Sequence, residues 1–111
     1  MSEATESLAF LKAVAGLATN LAVDRLEIYS LTYHSLAFGS WEIEAGRRSA
    51  RIRVTWEGKD RQLRVSKAEV KGGSSERRWQ MVEDHDFRDR HTDLARLFAT
   101  VHAAIKAHAD G

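Results

Sequence analysis

The chain predicts an α+β two-layer sandwich: an N-terminal helix, an antiparallel meander of three to five strands, and a long C-terminal helix. Three observations carry this. Apolar residues recur at helical spacing at both ends of the chain, they alternate with period two through the middle, and the middle is punctuated by turns too short for a crossover helix. Strands that are apolar on one side and charged on the other leave one sheet face wet, so both helices bury their stripes on the other face.

The first helix spans residues 4–22, where Leu8, Leu11, Val14, Ala15, Ala18 and Leu21 recur at spacings of three and four. Strand patterns follow. Leu26 and Ile28 alternate, then the apolar phase moves to Leu31 and Tyr33, which predicts a bulge near Ser30. Trp41 and Ile43 alternate with Glu42 and Glu44. Ala50, Ile52, Val54 and Trp56 alternate with Arg51, Arg53, Thr55 and Glu57, the cleanest strand signal in the chain. Leu63 and Val65 continue towards Val70. Gly72-Gly73-Ser74-Ser75 is a turn, and the segment Arg77 to Glu83 supplies an edge strand. The last helix runs from about Asp86 to His108, with Phe87, His91, Leu94, Phe98, Val101, Ile105 and His108 on one broad face and Asp84 or Asp86 as its cap. Leu97 widens that face enough to suggest a dimer seam.

With 111 residues the chain forms a single domain, residues 1–111. Apolar content of 43% and charged content of 30% fit a folded protein. No apolar run is long enough to span a bilayer, and the first residues carry acids where an export signal carries bases, so a cytoplasmic protein is expected. The absence of cysteine excludes disulfides, thiolate chemistry and cysteine-ligated zinc.

Charge is unevenly divided. Residues 47–78 carry eleven basic side chains against four acids, a balance of +7, while the whole chain is only +1. Alternation places Arg51, Arg53 and Arg64 on one sheet face, with Arg47 and Arg48 at the neighbouring turn. Such a face can meet an acidic protein surface or neutralise phosphates. Sheets that bind nucleic acid usually add aromatic platforms, but Trp41 and Trp56 fall in the apolar phase and read as core. Trp79, after Arg77 and Arg78, reads either as an interface anchor at the sheet edge or as core beneath the last helix.

Glu83-Asp84-His85-Asp86, with Asp89, His91 and Asp93, offers metal-ligand residue types. The spacing is poor, because His85 and His91 are six apart and helix-borne ligand pairs sit three or four apart. No nucleophile signature, phosphate loop or dinucleotide fingerprint is present, and no cofactor is implied. No family resemblance rests on quotable residues. The order helix, meander, helix is similar to that of double-stranded-RNA-binding domains in topology alone, and the basic cluster such a domain carries at its C-terminal helix is replaced here by the acidic run Glu83 to Asp93.

The expectation is therefore a small non-enzymatic interaction domain, a homodimer or a binder of another protein, acting through the basic sheet face or the Trp79 edge. Nucleic-acid binding through the same face is the first alternative. A metal-dependent enzyme built on His85 and His91 is the second.

Overall fold

A computed structural model describes residues 3–34, 36–37, 39–69, 78–88 and 93–109. The elements are α1 (Glu3–Val23), β1 (Glu27–His34), β2 (Ser40–Gly46), β3 (Ala50–Glu57), β4 (Gln62–Glu69), β5 (Gln80–Asp86) and α2 (Leu94–Ala109). The strands form one antiparallel sheet in the order β1-β2-β3-β4-β5, and both helices lie on one face, as the patterning predicts. No helix among the described residues is long and apolar enough to cross a membrane.

The core lies between the sheet and the helices. Ile43, Ile52, Val54, Leu63 and Val65 from the strands meet Leu21 of α1 and Val101 and Ile105 of α2, all with no solvent exposure. Phe10 of α1 stacks on Tyr33 of β1 at 4.6 Å, and Trp41 and Phe98 lie 5.2 Å apart beside them. Trp41 and Trp56 are core, as expected.

α1 buries only Val14 and Leu21 of the expected stripe. Phe10, Val14, Leu17 and Leu21 face the core, whereas Leu8, Leu11, Ala15 and Ala18 are exposed. The helix is apolar nearly all round, so spacing alone does not choose its inner face. Its C-terminus closes in a Schellman turn, with Leu26 N–H donating to Leu21 C=O and Arg25 N–H to Ala22 C=O. Arg25 holds the left-handed position of that turn at φ 60°, where glycine is usual. The Arg47 guanidinium donates to the carbonyls of Asp24 and Arg25, satisfying this helix end. The Asp24 carboxylate meets Lys106 at 3.4 Å and His102 at 3.5 Å, tying α1 to α2.

The C-terminal helix starts later than expected. Residues Gln80–Asp86 are the fifth strand, so the edge strand is displaced from 77–83 and the helix begins at Leu94. Phe87 packs edge-on to Trp56 at 5.9 Å from the end of β5, and its N–H donates to Arg61 C=O. Asp93, rather than Asp84 or Asp86, caps α2 by accepting from Arg96 N–H at 2.8 Å. Leu97 is 4% exposed and belongs to the core, so it does not widen the outer face of α2. His91, Phe38 and the Gly72–Ser75 turn lie outside the described residues.

Both edge strands are bulged. Ile28 pairs with Ala45 and Ser30 with Glu44, which leaves Tyr29 as the extra residue where the sequence phase breaks. On β5, Glu83 pairs opposite Val65 and Met81 opposite Ser66, which leaves Val82 extra. An extra residue reverses the facing of everything beyond it. The Val82 bulge thus turns Met81 and Trp79 onto the sheet face that the helices leave open.

Candidate interaction face of the sheet

The open face is built on β2, β3 and β4. Glu42 and Glu44 stand beside Arg53 and Arg51, and Thr55 faces Arg64 across the β3–β4 ladder. Each arginine has a carboxylate partner. Arg51 meets Glu44 at 3.4 Å, Arg53 meets Glu42 at 3.2 Å, and Arg64 meets Glu57 at 2.7 Å while also donating to Gln62. Asp84 lies opposite Arg64 in register. The sequence-level basic face is therefore a mosaic of paired charges. The Arg53–Glu42 and Arg64–Glu57 pairs are solvent-accessible and each contribute roughly 0–1 kcal/mol, whereas the Arg51–Glu44 pair is largely covered.

Two aromatic rings complete the face. The Arg51 guanidinium lies 3.4 Å from the ring centroid of Tyr29, and that of Arg53 lies 3.9 Å from the centroid of Trp79. The bulges deliver both rings from the edge strands. Ser66 sits in register between Arg53 and Met81, and its short side chain leaves room for Trp79 to reach over β4. Ala68, opposite Arg51, is 1% exposed although it lies outside the helix-covered core. The face is thus a packed polar and aromatic layer. Met81 adds an exposed apolar side chain, 56% accessible.

The predicted site residues are distributed as follows. Arg51, Arg53, Arg64 and Trp79 come together on this face. Arg47 leaves it to cap α1, and Arg48 stays exposed in the β2–β3 turn. Arg78 is exposed beside Trp79, and Arg77 lies outside the described residues. Tyr29 is the member that sequence reasoning missed. Its signal was the phase break near Ser30, which marks the bulge that aims the ring.

Among the described residues, the acidic and histidine side chains do not converge on one ion. Asp86 holds the backbone and guanidinium of Arg88, Asp93 caps α2, and Asp89 and His91 lie outside the described residues. Among the described residues no group of three His, Cys, Asp or Glu side chains is placed to hold a metal. Glu83 and His85 instead face the helix layer, opposite Val65 and Leu63. One Glu83 oxygen accepts from His85 Nε2 at 2.8 Å and the other from His108 Nε2 at 2.6 Å. A carboxylate only accepts, so both Nε2 atoms carry protons. Burial pushes the Glu83 carboxyl up, but the two imidazole hydrogen bonds and the attraction to both rings outweigh it and hold the group below its ordinary value. A shallow groove of about 500 Å³ beside this cluster is lined by Ala99, Ala103 and Ala107 of α2. The Glu83–His108 link was not legible beforehand, because the two residues are 25 positions apart.

No family model, curated protein or solved structure matches this chain.

Proposed function

We propose that this protein is a small non-enzymatic interaction domain that holds a protein partner on the open face of its sheet, centred on Arg53 and Trp79. The observation that supports this is the stacking of that guanidinium and ring at 3.9 Å on the sheet face opposite α1 and α2. Tryptophan, tyrosine and arginine are the side chains that most often anchor protein interfaces, and rings already fixed by stacking lose little freedom on binding. The surrounding Glu–Arg pairs supply both signs of charge, which suits a polar protein surface. Three arginines matched by three glutamates leave little uncompensated charge for counterion release, so the mosaic favours a protein over a nucleic acid. A cysteine-free chain suits the cytoplasm, where the reading places it.

A photo-crosslinking side chain at Met81, exposed on the face and clear of the Arg53–Trp79 stack, tests the reading in cells. The same group at Ala103, on the helix side, is the control. Protein adducts formed from position 81 and absent from position 103 support the proposal. Adducts from 103 alone, or from neither position, contradict it.

A further inference from the structure

The outer face of α1 carries a second apolar seam that the fold does not use. Leu8, Leu11, Ala15, Ala18 and Ala22 recur at spacings of three, four, three and four, the strict heptad spacing of a two-helix seam. All five are exposed, with Leu8 at 54% and Leu11 at 53%. They are separate from the core stripe of Phe10, Val14, Leu17 and Leu21. Residues 7–23 contain one charged side chain, Lys12. A helix that is apolar on all sides is normally enclosed on all sides.

We propose that this seam pairs with the same seam of a second copy, antiparallel, about a two-fold axis at Ala15. The gradient of side-chain size along it identifies the occupant. The two leucines stand at the N-terminal end and the three alanines follow. In an antiparallel pair centred on Ala15, Leu8 lies level with Ala22 of the other copy and Leu11 lies within one residue's rise, about 1.5 Å, of its Ala18, so each leucine packs on an alanine of the seam. A parallel pair sets leucine on leucine and holds the alanine ends apart. Lys12 falls level with Ala18 of the other copy in the antiparallel arrangement, so no like charges meet. The seam from Leu8 to Ala22 is about 21 Å long. A single helix pair of that length is at the small end of stable interfaces, so the dimer forms with rising concentration. This surface is on the opposite layer from the charged sheet face, and the inference stands independently of that reading.

Sedimentation equilibrium of the full chain tests it. The mass should rise from 12.5 kDa towards twice that value as concentration increases. Ala15→Glu places two carboxylates on the axis and should weaken association at least tenfold, while Arg51→Glu with Arg53→Glu should leave it unchanged. The absence of native cysteine permits a geometric check. Ala15→Cys should oxidise to a disulfide-linked dimer, and Leu8→Cys should cross-link to Ala22→Cys but not to itself. A monomer at every concentration overturns the proposal. So does a dimer indifferent to Ala15→Glu, or a Leu8→Cys chain that cross-links to itself as readily as Ala15→Cys.

Discussion

The guanidinium of Arg53 lies 3.9 Å from the ring centroid of Trp79, across the width of β4. Arg53 also holds Glu42 at 3.2 Å on its other side. One arginine thus joins the middle strand to both flanks of the open face. The contact depends on the Val82 bulge, because without that extra residue Trp79 would face the helices.

A double-mutant cycle measures this contact. Arg53→Ala and Trp79→Ala should show a coupling of about 0.5–1 kcal/mol in denaturant unfolding, the range for a cation over a ring that solvent still reaches. Independent, additive effects would show that the stacking contributes nothing to the folded state.

The Glu83 cluster makes stability depend on pH. The folded-state value of this carboxyl is depressed, so its contribution is complete above the unfolded value of about 4.3 and is lost as pH falls through the folded value. Glu83→Gln should therefore lower stability near neutral pH and flatten the acid limb of the unfolding midpoint. His108→Gln should flatten it in part, because His85 still donates to Glu83. An acid limb identical in wild type and Glu83→Gln would contradict the cluster's role.

Two backbone positions predict opposite responses to mutation. Gly46 sits at φ 132°, and a Cβ there would run into the Ala50 carbonyl oxygen across the β2–β3 turn. Gly46→Ala should cost at least about 2 kcal/mol, the sum of a disallowed conformation and a backbone clash. Arg25 occupies the left-handed position closing α1 at φ 60°. Arg25→Gly relieves that conformation and keeps the carbonyl that Arg47 binds, so stability should rise by roughly 0.5–1 kcal/mol. Thermal or denaturant unfolding of the two variants checks both signs.

The inner strands were legible because β2, β3 and β4 each bury one face, so Ile52, Val54 and Trp56 announce β3, and the break at Ser30 announces the β1 bulge. The β5 boundary was not. Phe87 stands seven residues before Leu94 and eleven before Phe98, spacings that also suit a helix, and helical periodicity therefore ran back into a strand. Nor was the inner face of α1, where two heptad stripes compete and only packing against Tyr33 and Trp41 selects Phe10 over Leu8. The arginines of the open face were placed correctly, but their charge was not readable as a patch. Glu42, Glu44 and Glu57 cancel it through diagonal contacts that depend on strand register.

The most direct test of the open face as a docking surface is quantitative capture from native extract. Immobilised wild-type protein is compared with Trp79→Ala and with Arg51→Glu plus Arg53→Glu, each first shown to be folded by circular dichroism. The account predicts a protein species retained by the wild type and lost from both variants. Species retained equally by all three proteins, or lost only when the groove at Ala99 and Ala103 is altered, would contradict it.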